Sequence, residues 1–94
     1  MVAQEFKKDN TEEKIKYTLI PTDILTEIAI HFNYGAKKYG ENNWKESTKE
    51  QSVVFKDAAF RHFIKWIENN FDEKHGIACI TNIIMYEHIN KKNE

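Results

Sequence analysis

The sequence contains very few residues that stop a helix. Its 94 residues include only three glycines and one proline. Because glycine and proline most often end helices and form turns, so few of them favour long helices joined by few turns. After Pro21, apolar side chains recur at helical spacing as far as Tyr39. We therefore expect an all-α domain whose first helix spans about residues 22–39, with Thr22 as its N-cap.

Two further stretches carry apolar residues at helical spacing. They predict a second helix that begins after Ser47 or Thr48 and ends near Asn69, and a third that begins after Asp72. Residues 14–21 alternate between polar and apolar side chains, which is typical of an extended arm or a single short strand. The predicted architecture is a small antiparallel three-helix domain with a short extended N-terminal arm.

The length and charge of the chain restrict its class. A chain of 94 residues forms one domain, and we assign residues 14–90 to a single helical domain and residues 1–13 to a flexible tail. With 14 basic and 15 acidic residues, the net charge is -1. This argues against general nucleic-acid binding, because such proteins carry a basic surplus. So small a core gains from assembly, and we expect a homo-oligomer.

The single cysteine, Cys79, excludes an intrachain disulfide and favours a cytoplasmic protein. It lies among apolar residues of the third predicted helix, so we interpret it as a core residue. No apolar run reaches the length needed to cross a membrane, and we expect no membrane partner.

Residues 34–44 hold more polar and aromatic groups than a core-forming segment would. The candidates for ligand binding in this stretch are Tyr34, Lys37, Lys38, Tyr39, Asn43 and Trp44. Lysines can bind phosphate, the Asn43 amide can read a base edge, and aromatic rings can stack on a base. Helix termination is the alternative, with Lys37 and Lys38 near the negative end of the helix dipole and Gly40 as the cap. That alternative leaves Asn42, Asn43 and Trp44 unexplained.

Arg61 and His62 lie side by side on the second predicted helix. An arginine at the edge of a buried face needs an anion, which here is either Asp57, one turn earlier, or a ligand phosphate. His62 lies on or near the apolar stripe, where it is either a hydrogen-bonded core group or a ligand or catalytic base. Both residues are therefore candidates for a site.

Three segments together resemble a known family in their order and spacing. They are residues 16–21, residues 34–40 with Asn43 and Trp44, and Arg61 and His62 with Trp66 and residues 72–76. Across most of its length the chain is similar to the dATP/dGTP diphosphohydrolase-like domain of phages and bacteria, a relative of the MazG-like all-α nucleotide pyrophosphohydrolases. The resemblance implies an all-α fold, a purine nucleotide ligand and often a phage origin. Family members use a divalent metal to cleave a deoxynucleoside triphosphate to the monophosphate and pyrophosphate.

The chain also departs from the family pattern. That pattern has acidic residues near positions 70 and 74, followed by histidines on the third helix. The residues found here instead are Asn70, Lys74, Cys79 and Asn82. The groups suited to a base and phosphates are kept, whereas those suited to metal-assisted hydrolysis are depleted. A lysine among the expected metal ligands opposes a cation and favours an anion.

The first hypothesis is that the protein binds a purine nucleotide or a nucleotide-derived signal, needs no cofactor and has lost hydrolysis. The residues of this site are Lys37, Lys38 and Arg61 for phosphate, Asn43 for the base, and Trp44 or Tyr39 for stacking. A phage could use such a binder to sequester a nucleotide signal of host defence in the host cytoplasm.

The second hypothesis is an active Mg²⁺-dependent dATP/dGTP pyrophosphohydrolase that releases dNMP and pyrophosphate, with His62 assisting catalysis. The candidate metal ligands are Glu27, Asp57, Glu68, Asp72 and Glu73, of which Glu27, Asp57 and Asp72 are preferred. A third interpretation is a small helical interaction protein without a ligand. Lys74 favours the first hypothesis.

Overall fold

The computed structural model describes residues 14–92 of the chain, and these residues are all-helical. The three α-helices are α1, Thr22–Tyr39; α2, Val53–Ile67; and α3, His75–Lys92. No strand occurs within the described range. The predicted all-α class and the number of helices are confirmed, and the predicted tail of residues 1–13 lies outside the described residues.

The segment before α1 forms a 3₁₀ turn, Tyr17–Leu19, in place of the predicted strand or fully extended arm. The backbone amides of Leu19 and Ile20 bond the carbonyls of Lys16 and Tyr17, both at 3.1 Å. A lone strand would leave these backbone groups without protein partners, whereas the turn satisfies some of them locally. Ile20 itself is extended, with φ -79° and ψ 129°, as expected for a residue that precedes proline.

Helix α1 begins without a side-chain cap and ends at a glycine. Pro21 occupies the N-cap position, so the prediction of Thr22 as the cap was wrong by one residue. The Thr22 carbonyl accepts a bond of 2.9 Å from the Thr26 hydroxyl. At the other end, Gly40 has a φ of 100°, and its amide donates to the Ala36 carbonyl at 2.9 Å. The predicted glycine stop is confirmed, because this positive φ suits glycine.

A second 3₁₀ turn, Asn43–Glu46, connects α1 to the rest of the domain. It is preceded by Asn42 in the left-handed conformation, with φ 59°. The Trp44 ring lies 5.8 Å from that of Phe32 on α1 and 5.3 Å from that of His88 on α3, measured between centroids. This turn is therefore tied to both helices by aromatic contacts.

The approach to α2 contains a capping box formed by Thr48 and Gln51. The Thr48 amide donates to Gln51 Oε1 at 2.9 Å, and the Gln51 amide donates to Thr48 Oγ1 at 3.1 Å. The regular helix begins only at Val53, so this box closes the preceding turn. Ser52 is fully buried, and its hydroxyl accepts a hydrogen bond of 3.2 Å from the side-chain Nδ2 of Asn90 on α3.

The connection from α2 to α3 turns at Asn69, whose φ of 60° lies in the left-handed region that asparagine tolerates better than most residues. The Asp72 amide then donates to Asn70 Oδ1 at 3.0 Å. The sequence predicted a third helix beginning directly after Asp72, but α3 begins three residues later, at His75. The Asp72 carboxylate bonds the His75 ring instead of a backbone amide.

Helix α3 is the centre of the domain, because α1 and α2 both pack against it. The buried apolar residues of the described range are Ala59, Ala78, Cys79 and Ile89, three of them on α3. Cys79 is thus buried as predicted, and burial raises the pKa of its thiol. Between residues 14 and 92, no helix combines the length and apolar character needed to cross a bilayer.

Candidate functional site

A cavity of about 650 Å³ lies at the C-terminal end of α1. The residues that line it come from the C-terminal half of α1, from the segment of residues 40–47, from Phe55 on α2 and from the middle of α3. Cavities of about 300–1,000 Å³ are the usual size for small-molecule sites. The dimensions therefore suit a ligand such as a nucleotide.

Most of the ligand-binding residues predicted from the sequence line this cavity. They are Tyr34, Lys38, Tyr39, Asn43 and Trp44. Lys37 and Arg61 do not line it, and Arg61 is exposed on α2. The roles predicted for Lys37 and Arg61 in phosphate binding stay predictions.

The aromatic residues of the cavity differ in how free their rings are. Trp44 is half-buried between Phe32 and His88, so its ring already has aromatic neighbours. Tyr39 is 68% exposed, and the Lys38 ammonium lies 5.6 Å from the centroid of its ring. Of the two predicted stacking residues, Tyr39 therefore offers more accessible ring surface.

Helix α3 contributes buried polar residues that the sequence interpretation did not assign to this cavity. Thr81 and Asn82 line the cavity and are buried. The Asn82 Nδ2 donates to the Ala78 carbonyl at 2.8 Å, which fixes the orientation of the amide. Gly35 also lines the cavity, and a Cβ placed there would meet no atom within 4 Å. Gly35 therefore faces open space instead of packing against a neighbouring helix.

A second group of polar residues lies where α2, the following link and α3 meet. Nδ1 of His62 is 2.8 Å from Nδ1 of His75, and Nε2 of His75 is 2.5 Å from Oδ1 of Asp72. Each of His62, Glu73 and His75 offers a ligand atom, and these three atoms lie within 4.8 Å of one another. His75 is only 2% exposed, so its ring is fixed by its surroundings.

The hydrogen bonds of this cluster determine where its protons lie. The ionised Asp72 carboxylate can only accept, so Nε2 of His75 carries a proton and donates it. One further proton lies between the two Nδ1 atoms. It belongs to His62 when His75 is neutral and to His75 when that ring is charged.

The surroundings shift two pKa values in this cluster. The bond from His75 lowers the pKa of Asp72, which is exposed to solvent. Burial is the main cause that lowers the pKa of His62, and the Glu73 carboxylate opposes it. The neighbours that lower this pKa further are His75, His31 and Arg61. The folded state therefore favours a neutral His62 at neutral pH.

The predicted metal ligands are not brought together around one point. Glu27 forms an ion pair of 2.7 Å with Lys74, and Asp72 bonds His75. Asp57 is exposed on α2. Within residues 14–92, the single group of three potential metal ligands is His62, Glu73 and His75. Mg²⁺ prefers oxygen ligands in an octahedral arrangement, so this donor set of two imidazoles and one carboxylate does not fit it.

The fold and the cavity place the chain among small all-α domains. The sequence model of the family described as dATP/dGTP diphosphohydrolase, N-terminal, matches residues 4–94. The chain therefore belongs to this family, as the resemblance indicated, and its scaffold is related to dNTP diphosphohydrolases. No curated protein and no solved structure matches the chain.

Proposed function

We propose that this protein binds a purine nucleotide, or a signal derived from one, in the cavity at the end of α1 and does not hydrolyse it with Mg²⁺. The observation that carries the proposal is the shared location of the predicted residues. Five side chains that the sequence suggested for base and phosphate binding line one cavity. Membership of a nucleotide-processing family supports the same ligand class.

The base would lie between an exposed aromatic ring and a set of side-chain amides. Tyr39 supplies the ring for stacking, and Asn43 and Asn82 supply amides that can both donate to and accept from a base edge. Asn82 is buried and held by its bond to Ala78, so it would meet the ligand in a fixed orientation. Such preorganisation lowers the entropic cost of binding.

The charges of the cavity favour a ligand with few phosphates. Among residues 14–92, Lys38 is the lysine that lines the cavity, and Glu41 brings a carboxylate to the same wall. The C-terminal end of α1 adds negative dipole charge. A monophosphate or a phosphodiester can be held by one lysine, whereas a triphosphate would need more cations or a metal. This favours a nucleotide-derived signal over a dNTP.

The ion pair between Glu27 and Lys74 supports the absence of Mg²⁺-dependent hydrolysis. Its 2.7 Å contact occupies a carboxylate that was a preferred candidate for metal binding. In a phage-infected cell, binding without turnover would remove a nucleotide signal of host defence from solution.

Family membership favours a second candidate, an active Mg²⁺-dependent dATP/dGTP pyrophosphohydrolase. For this activity, Glu27 would have to leave Lys74 and converge with Asp57 or Asp72 on an ion. His62 would then assist the reaction as a base. This candidate predicts release of pyrophosphate, and binding alone does not.

We also propose that the domain functions as a homo-oligomer. Val53, Phe60, Ile64 and Ile67 lie at helical spacing on one side of α2 and are 41% to 64% exposed. A monomer seldom exposes so large an apolar stripe, and a second copy of the chain would cover it symmetrically. Light scattering after size exclusion should give a mass above one chain, and Phe60→Asp should lower it. A monomeric wild type would contradict this part of the proposal.

The test of the main proposal is incubation with a nucleotide panel, with and without Mg²⁺. The panel contains dATP, dGTP, cyclic dinucleotides and ADP-ribose derivatives, and the small molecules are separated by chromatography. We expect one nucleotide to be depleted from the protein-free filtrate and recovered intact after heating the protein. Mg²⁺-dependent appearance of pyrophosphate would instead establish the second candidate. If no nucleotide is depleted or cleaved, neither proposal holds.

A further inference from the structure

We propose that His62, Glu73 and His75 form a binding site for one divalent transition-metal ion of the zinc class. The three ligand atoms come from α2, from the link after it and from the first residue of α3. These atoms lie within 4.8 Å of one another. Glu73 is exposed, so a small movement of its side chain can shorten the distances from its carboxylate to the two histidine nitrogens. None of these three ligands is among the residues that line the cavity at the end of α1, and the site does not depend on the nucleotide proposal.

Asp72 prepares His75 for metal binding. Nε2–H of His75 donates a hydrogen bond of 2.5 Å to the Asp72 carboxylate. The lone pair of a neutral His75 is therefore on Nδ1, the atom that faces His62. Metal-bound histidines commonly donate their other ring nitrogen to a carboxylate in this way. Because His75 is 2% exposed, this orientation is held by packing as well.

The distance between the two imidazoles is close to what an ion requires. The Nδ1 atoms are 2.8 Å apart and share one proton. With metal–nitrogen bonds of about 2.0–2.1 Å and tetrahedral geometry, they would be about 3.3 Å apart, so the rings need to separate by only about 0.5 Å. The ion replaces the shared proton, which moves to Nε2 of His62 or to solvent. Glu73 supplies the third ligand, and water fills the fourth position.

The donor set selects the class of ion. Imidazole nitrogens suit Zn²⁺ and its neighbours Co²⁺ and Ni²⁺, whereas Mg²⁺ prefers oxygen. Lys74 is adjacent to Glu73 in sequence, but its ammonium lies 2.7 Å from Glu27, so its charge is already paired. The ion would join the C-terminal half of α2 to the start of α3 and stabilise this connection.

The test uses chelator-treated protein without a histidine tag. Calorimetric titration with Zn²⁺ should give one ion per chain, and Mg²⁺ at equal concentration should not compete. Co²⁺ should produce visible absorption bands of a four-coordinate site. His62→Ala and Glu73→Gln should each lower Zn²⁺ affinity at least tenfold, and Asp72→Asn should lower it about 10- to 100-fold because it orients His75. His88→Gln and Glu87→Gln, on the exposed part of α3, serve as matched controls and should bind as the wild type does.

Three results would overturn the site. They are no Zn²⁺ binding by the wild type, equal Zn²⁺ affinity in His62→Ala and the wild type, or displacement of Zn²⁺ by Mg²⁺. His62 is half-buried and Glu73 exposed, so both variants should fold even if a change at the buried His75 does not. Nucleotide binding is measured separately in the presence of chelator, so a failure of one proposal is distinguishable from a failure of the other.

Discussion

Replacing Tyr39 with alanine tests the assignment of the base-binding surface. Tyr39 lines the cavity and is 68% exposed, so its ring is accessible to a ligand and contributes little to the core. Stacking of one base on an aromatic side chain contributes about 1–3 kcal/mol by alanine substitution. At about 1.4 kcal/mol for each tenfold change, Tyr39→Ala should raise the nucleotide Kd by about 5- to 150-fold.

The same substitution should leave the stability of the domain nearly unchanged. Exposed positions outside special contacts usually change the free energy of unfolding by less than about 0.5 kcal/mol. Nucleotide Kd is measured by calorimetry and unfolding by urea titration on the same samples. Tyr39→Phe keeps the ring and should keep most of the affinity. Tyr17→Ala, at a 73% exposed tyrosine away from the cavity, is the matched control.

The result that would refute this assignment is an unchanged Kd for Tyr39→Ala in a folded protein. The ligand would then stack elsewhere or bind without stacking. A loss of affinity that also appears in Tyr17→Ala would indicate a general effect on the protein and would not support the cavity.

Three further predictions concern charge, pH and packing. Lys38→Ala should raise the nucleotide Kd by about 10- to 150-fold, which is the range expected for the loss of a charged hydrogen bond. Lys37 does not line the cavity, so Lys37→Ala should leave the Kd unchanged. If calorimetry shows the same loss of affinity in both variants, the placement of the phosphate is wrong. In chelator, the free energy of unfolding should fall as pH drops below about 6.5, because the pKa of His62 is lower in the folded state and the unfolded state binds more protons there. In His62→Gln, the free energy of unfolding measured by urea titration should depend less steeply on pH. An unchanged slope would show that His62 is not the cause of the pH dependence. Ile89 is fully buried, so Ile89→Ala should lower the free energy of unfolding, measured in urea, by about 2–5 kcal/mol, and Ile89→Val should lower it by about 0.5–1.5 kcal/mol. Small and equal decreases in the two variants would show that this part of α3 does not belong to the core.

The three helices were predictable because their signals are local. Few breakers, apolar periodicity and Gly40 located α1 to within a residue at each end. The ends of α2 and α3 were less predictable because the same side chains have competing uses. Thr48 forms its capping box in a turn before α2, and Asp72 bonds a histidine ring instead of a helix amide.

The cavity was partly predictable for the same reason. Its lining from α1 and the turn after it is continuous in sequence, so Tyr39 and Asn43 were found together. Asn82 belongs to a helix that reaches the cavity only through packing, and no local pattern indicates that. His62 and His75 are 13 residues apart and meet because the link between their helices is short. A sequence pattern with one histidine on each side of a short connection between two helices would have predicted that these two side chains meet.

A fluorescence titration of Trp66→Phe, in which Trp44 is the remaining tryptophan, tests whether the nucleotide binds in the cavity without turnover. Trp44 lines the cavity, so its emission reports on a ligand there. We expect a saturable change with the nucleotide identified from the panel, equal in Mg²⁺ and in chelator, with the nucleotide recovered intact. Release of pyrophosphate in Mg²⁺, or a nucleotide that binds without changing Trp44 emission, would contradict the proposed cavity binder.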